Sequence, residues 1–235
     1  MFTHEIRNGI AFLTFDSGGM NTLSAAAVDA LDAKVKELGA IHAKTPLAGV
    51  ILKGNKFGLG AGANIGELMH ADRAQLSGFI DRGHAVLYAI EDGPMPWLAV
   101  IDGFALGGIY ELALACRGII ATAKSTVGFP EIRLNIFPGL GGTQRMPRRS
   151  GLINASDPMN GDAGFTAVLT GKNFRAKDAA AIHMIDAVIA ADADLDQFAE
   201  RFLRETLPGI DRTPPADLAN GENLVPMVLP MVQKA

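Results

Sequence analysis

Apolar and polar positions alternate through two short runs at the start of the chain, Phe2–Arg7 and Ile10–Phe15, on either side of Asn8-Gly9. Asn-Gly suits a tight turn with two positive-φ positions, so the pattern predicts a β-hairpin. The period then changes. Val28, Leu31, Val35 and Leu38 recur every three or four residues after Ser24, a helix-capping residue type, and Gly39 is the expected end of that helix. Ala48–Leu52 is apolar throughout, as in a strand covered on both faces. A loop over Lys53–Gly62 is predicted from glycines at 54, 58, 60, 62 and 66. Leu76, Phe79, Ile80, Gly83, Val86, Leu87 and Ile90 then trace one face of a long helix beginning near Asp72.

The most informative stretch follows. The apolar run Trp97–Ile101 ends in Asp102-Gly103, a small-residue loop carries Gly107-Gly108, and an apolar segment comes next with one acid, Glu111. This reads as strand, turn and helix, with glycines at the helix entrance. The first N–H groups of a helix lack internal partners and sit at its positive end. There they can hold a phosphate, or a carbonyl oxygen that gains charge during reaction.

Further on, Gly118–Ala123 is β-prone, Thr126–Glu131 reads as extended, Pro138–Thr143 as loop, and Gln144–Arg149 is basic. Ile153–Gly164 is a polar excursion, Phe165–Leu169 and Ala176–Ile185 are expected helices, and Leu195, Phe198, Ala199, Phe202, Leu203 and Leu207 mark an amphipathic one. Gly209–Asn223, with Pro214-Pro215, reads as a linker; Leu224–Val232 is an apolar tail broken by Pro226 and Pro230. Strands alternating with helices from residue 48 onward predict an α/β fold with at least partly parallel strands.

Composition narrows the classes. The 235 residues, 49% hydrophobic and 20% charged, suit one sizeable domain with a real core. A net charge of −4 argues against a nucleic-acid surface. One cysteine, Cys116, excludes a disulfide framework and fits a reducing compartment. With no leader pattern at the N-terminus and no apolar stretch of membrane-span length, a cytoplasmic location is expected.

Three segments together resemble the enoyl-CoA hydratase/isomerase (crotonase) superfamily. Gly60-Ala-Gly-Ala-Asn-Ile65 is similar to the family's A-G-A-D-I loop. Gly103-Phe-Ala-Leu-Gly-Gly108-Ile-Tyr-Glu111-Leu is similar to its G-x-A-x-G-G-G-x-E-L segment. Phe129-Pro-Glu131-Ile, followed by Phe137-Pro-Gly-Leu-Gly-Gly-Thr-Gln-Arg145, is similar to its P-E and G-G-T-Q-R segments. Each alone is weak; their order and spacing match.

The resemblance implies a crotonase-type spiral of strand-strand-helix repeats over residues 1–190. Residues 191–235 would add a C-terminal helix, the linker and the tail, shorter than usual for the family. It implies an acyl-CoA substrate whose enolate oxygen is held by two backbone N–H groups, by position those of Ala61 and Gly108. Gly60, Gly62, Ala63, Ile65, Gly107 and Gly139 would border the substrate. Glu111 and Glu131 match the two glutamates that hold the added water, with Glu131 the main proton donor and acceptor. Paired carboxylates suit a reaction that needs a nucleophilic water at one carbon and a proton at the next. The implied activity is reversible hydration of a trans-2-enoyl-CoA to a 3-hydroxyacyl-CoA in fatty-acid or related acyl-CoA oxidation. Alternatives are a Δ3-Δ2 isomerase using the same site and a non-catalytic acyl-CoA-binding subunit. The short C-terminus further suggests the N-terminal hydratase portion of a multifunctional fatty-acid oxidation protein; otherwise a homo-oligomer such as a trimer is expected.

Departures from the family pattern are Asn64 for Asp, Ile109 for a third glycine, a long Ile153–Gly164 connection, and His183 where glycine is frequent. No cofactor is expected beyond the coenzyme A of the substrate. Gly58–Ala63 matches a dinucleotide fingerprint, G-x-G-x-x-A, but the region about 20 residues on reads as helix rather than a second strand ending in an acid. The five histidines lack ligand spacing, so no metal site is expected. Cys116 reads as a core residue. Lys53, Lys56, Arg145, Arg148 and Arg149 read as a solvated basic face, with contact to the phosphates of coenzyme A as the functional alternative.

Overall fold

The computed structural model describes residues 1–150, 164, 166–190 and 193–210. The hairpin forms where expected: β1 (Phe2–Arg7) pairs antiparallel with β2 (Ile10–Phe15), and the turn residues Asn8 and Gly9 have φ of 51° and 71°. Helix α1 (Ala25–Lys44) is capped by the Ser24 side chain on the Ala27 N–H. It does not stop at Gly39. A mid-helix glycine costs only about 1 kcal/mol, and the next turn packs partly buried Ile41 against the core before Thr45 closes the helix.

Strand β3 (Gly49–Lys53) is followed by β4 (Gly58–Ala61), so the expected glycine loop contains a strand. A short helix α2 (Ile65–His70) leads to α3 (Arg73–Glu91), whose cap Asp72 exchanges hydrogen bonds with Gln75. Then come β5 (Trp97–Ile101), β6 (Phe104–Leu106), α4 (Gly108–Ala115), β7 (Gly118–Thr122), β8 (Thr126–Gly128) and a single 3-10 turn, Pro130–Leu134.

The basic segment is the body of helix α5 (Gly142–Ser150) rather than a free face. Residues 166–170 are helical. After β9 (Asn173–Arg175), helix α6 spans only Ala176–Ala181; the expected helix to Ile185 ends early because His183 takes φ +57°. Strand β10 (Ala187–Ile189) and helix α7 (Leu195–Arg201) complete the fold, and the coil of α7 continues through Gly209. The excursion at 153–163, the linker beyond 210 and the apolar tail lie outside the described residues.

Two sheets result, ordered β1-β2-β3-β5-β7-β10 and β4-β6-β8-β9. In the larger one every pairing after the hairpin is parallel. Its central strands are buried on both faces, and alternate residues feed two cores. Val50, Leu52, Trp97, Ala99 and Ile101 join the core shared with α1, α3 and α4. Ile51, Leu98, Val100 and Ile120 meet Ala199, Phe202, Leu203 and Leu207 on the other side. Thus α7 is the lid of the second core, worth roughly 1.5–3 kcal/mol per buried large side chain. Cys116 is a buried core thiol, its pKa pushed up to about 12 by burial.

Candidate active site

The smaller sheet positions the site. Strands β4, β6 and β8 run parallel, with Ala61 opposite Leu106 and Leu106 opposite Gly128. Their carboxyl ends therefore deliver three segments side by side: Gly62-Ala63-Asn64, Gly107-Gly108 with the start of α4, and Phe129-Pro130-Glu131. Cross-links lock them together. Gly62 N–H donates to Leu106 O at 2.7 Å and Gly107 N–H to Gly128 O at 2.9 Å.

Helix α4 is apolar and every residue in it is buried, so its one acid is buried too: Glu111 is 1% exposed. No side chain caps the helix; Gly107 holds the capping position at φ 56°, ψ −135°. Glu111 Oε1 accepts from Leu140 N–H at 2.8 Å and Gly142 N–H at 2.7 Å. Burial raises its pKa to about 7 and the nearby Glu131 charge pushes the same way, while those N–H bonds and Arg145 pull it down. Glu131 is 8% exposed, and its Oε2 is a buried oxygen without a hydrogen-bond partner among the described residues. Burial raises its pKa to about 7 as well. Both carboxyls are thus pushed toward neutrality by burial, and only Glu111 feels the other's charge as well.

One expected donor is corrected. The Ala61 N–H already donates to Asn21 O at 2.8 Å, because Ala61 is still a strand residue at the end of β4. Two residues on, Ala63 has no acceptor for its N–H among the described residues, and neither does Gly108. The two segments adjoin: a β-carbon on Gly108 would lie 3.7 Å from the Ala63 nitrogen.

The other expected residues distribute around this centre. Gly62 borders Gly107, whose added β-carbon would come within 3.2 Å of the Gly62 Cα, and Ile65 opens α2 half-exposed. Gly139 faces Ile80, and Gly60 packs on Asn21 instead of facing a cleft. Asn64 caps α2, its amide bonding Glu67 through both its oxygen and its nitrogen. Ile109, the departure in the glycine run, is wholly buried.

The basic residues are not one solvated face. Arg145 and Arg149 are buried; Arg145 bonds Glu91 and Leu140 O, and Arg149 bonds Asp186 and the carbonyls of His183 and Met184. Lys53 is paired with Asp196, while Lys56 and Arg148 are exposed. A cleft of about 300 Å³ opens beside Lys53, Lys56, Asp102 and Leu195, and none of the centre's residues lines it. The fingerprint Gly58–Ala63 falls in a strand and the turn after it, and the following helix has six residues, so it lacks the glycine turn into a long helix that a pyrophosphate needs. No group of three or more metal-ligating side chains occurs among the described residues, and no helix there is long and apolar enough to cross a membrane.

Sequence reasoning missed Leu140 and Gly142 as holders of Glu111, and Asn21. Asn21 is fully buried, and its amide reaches Phe15 O and Leu59 O at 2.7 and 3.2 Å. The glycines around Leu140 were the signal for the first two; a lone asparagine in a loop gave none for the third.

This arrangement, two glutamates and two open amides at the ends of three parallel strands, coincides with the chain's likeness to known proteins. The family model for enoyl-CoA hydratase/isomerase matches residues 5–210, and the chain belongs to that family, within the crotonase superfamily. Among solved structures it is similar to an enoyl-CoA hydratase from Bacillus anthracis, at 25% identity and TM-score 0.75, over 90% of this chain and 78% of that one. DspI from Pseudomonas aeruginosa shares 22% identity at TM-score 0.76, over 99% of this chain and 92% of that one. An enoyl-CoA hydratase from Mycobacterium smegmatis shares 22% identity at TM-score 0.76, over 88% and 76%. These last two likenesses establish the fold, a crotonase-type α/β fold.

Proposed function

We propose that the protein hydrates a trans-2-enoyl-CoA reversibly to a 3-hydroxyacyl-CoA, as a lyase of acyl-CoA oxidation. The observation that carries the reading is the buried, unpartnered Glu131 Oε2 beside a second buried glutamate and the Ala63 and Gly108 amides. The thioester oxygen sits between those two N–H groups, which stabilise the negative charge it gains as the enolate forms. A water held by Glu111 and Glu131 adds its hydroxyl to the β-carbon and gives up one proton to Glu131. The α-carbon receives one proton from the carboxyl pair, so the net addition is one water. Carboxyls with pKa near 7 suit this two-way traffic, since either form is accessible at neutral pH. Leu134, Ile136 and Phe137, exposed on the loop between Glu131 and Gly139, offer an apolar wall for the acyl chain.

The test is the loss of conjugated enoyl-thioester absorbance with a short trans-2-enoyl-CoA, run beside Glu131→Gln. The reading expects turnover that falls by about 10²–10⁴ in the variant. Turnover of a 3-enoyl-CoA without hydration would replace it with isomerisation. Acyl-CoA binding without turnover of either substrate would leave a binding subunit.

A further inference from the structure

Arg145 is a buried arginine with three directed bonds. Its Nη1 donates to Leu140 O at 2.9 Å, while Nε and Nη2 both donate to Glu91 Oε2, at 3.0 and 2.7 Å. Its side chain is 6% exposed, against 40% for Glu91. Leu140 is thereby fixed at both ends, its carbonyl by Arg145 and its N–H by Glu111. The Arg145 N–H adds a bond to Gly141 O at 2.8 Å, inside the same turn. Gly141 has φ +96°, and a β-carbon there would collide with Arg145 Nη1, so the turn is shaped around the guanidinium. A continuous path runs from Glu91, the last residue of α3, through Arg145 and Leu140 to the Glu111 carboxylate.

An ordinary surface ion pair contributes little. This one differs because the cation is buried and both of its bonds to Glu91 are charge-assisted, which fixes orientation as well as energy. We propose that Glu91 is a positioning residue for Glu111. It orients the Arg145 fork, and the fork holds the Leu140–Gly142 turn so that its two N–H groups stay aimed at Glu111 Oε1. The inference rests on the reading of Glu111 as part of the reacting site.

The charged groups that face Glu111 are Glu131 from the 3-10 turn and Arg145 from α5. Arg145 in turn faces Glu91 and, at 5.4 Å, the Tyr88 ring. Two effects of removing Glu91 therefore have opposite signs at Glu111. Loss of a negative charge acts through space to lower its pKa. Release of the turn removes N–H bonds that hold it down, and so raises it.

The experiment compares Glu91→Ala and Glu91→Gln in the full chain. Carbon-13 NMR follows the glutamate carboxyls through a pH titration, Glu111→Gln assigns the Glu111 signal, and kcat and KM are measured beside it. In Glu91→Ala the Glu111 titration moves up, and kcat falls about ten- to a hundredfold with KM within about twofold. Glu91→Gln keeps an acceptor for the fork but loses the charge, so kcat stays near the parent while the Glu111 titration stays level or moves slightly down. If the alanine variant does not fold, Arg145→Lys keeps the charge, loses the fork and carries the same expected upward move. A Glu111 titration that moves down or stays put in the alanine variant, or in Arg145→Lys where that stands in for it, overturns the proposal, whatever happens to the melting temperature. The NMR titration reads the free protein, so it decides this point even if no enoyl-CoA is turned over. Absent turnover in the parent counts against hydration alone.

Discussion

Glu131 Oε1 lies 2.7 Å from the point where a β-carbon on Gly107 would stand. The residue that caps α4 thus also makes room for the carboxylate on the neighbouring strand end. Gly107→Ala would add a methyl group against Glu131 at a φ of +56°. The strain is of order 1–3 kcal/mol, too small to unfold a well-packed domain. The expected outcome is a folded variant with a modestly lower melting temperature and turnover down about a hundredfold. Steady-state rates with an enoyl-CoA and a thermal melt check both halves.

Stability should depend on pH through the same two acids. Both have folded-state pKa values raised from 4.5 to about 7 by burial. A carboxyl raised on folding favours the folded state fully below its unfolded pKa, and that contribution is lost as pH rises through the folded value. The parent should therefore lose stability between about pH 4.5 and 7. Glu131→Gln cannot ionise, so it should be more stable than the parent at pH 8 by about 1–3 kcal/mol, with the gap closing near pH 4.5. Denaturant melts at the two pH values read the difference. A constant gap would show that burial is not what perturbs these carboxyls.

Gly83 sits in the middle of α3, where alanine would ordinarily gain about 1 kcal/mol. Here an added β-carbon would come 2.5 Å from Leu140 Cδ2. Overpacking of that kind costs about 1–3 kcal/mol, so the two effects largely cancel. Leu140 must still move, and its N–H holds Glu111. Gly83→Ala should melt close to the parent yet lose turnover, a split that kinetics and calorimetry on one preparation would reveal.

His183 takes φ +57°, a conformation that costs a branched or bulky residue about 1–2 kcal/mol. Its carbonyl accepts from Arg149 and its N–H bonds Ala180 O, so the neighbours hold it there. His183→Gly removes the steric cost but enlarges the entropy of the unfolded chain by about 0.4–1 kcal/mol. A net gain of about 0.5–1 kcal/mol is expected from urea melts.

The elements legible in the sequence were those with their own periodicity: the hairpin around Asn8-Gly9, α3 behind Asp72, the both-face-buried β3 and β5. The three-residue strands β6, β9 and β10 were not, because such pieces exist only through their partners, whereas β8 lies within the stretch read as extended. The same cause misplaced one donor. Ala61 and Ala63 are chemically alike, and only the place of the Asn21 carbonyl, which takes the Ala61 N–H, decides which amide is spent. Arg145 and Arg149 read as surface residues because charge in a sequence gives no sign of burial. Glu111 was recognisable for the opposite reason: a carboxylate in an apolar helix is costly to bury, so its presence there points to a role. His183 stood out as a histidine at a position where glycine is frequent, and its positive φ supplies the reason.

The four-stranded sheet that positions the candidate site is built from segments of three or four residues, whereas five of the six strands in the sheet behind it run to five or six. Short strands open at lower free energy than the long ones they lean on. In rising denaturant, then, catalysis should fade before circular dichroism does, and amide exchange at Ala105 and Val127 should outpace that at Ile51 and Leu98. The molecule would forget its reaction before it forgets its shape.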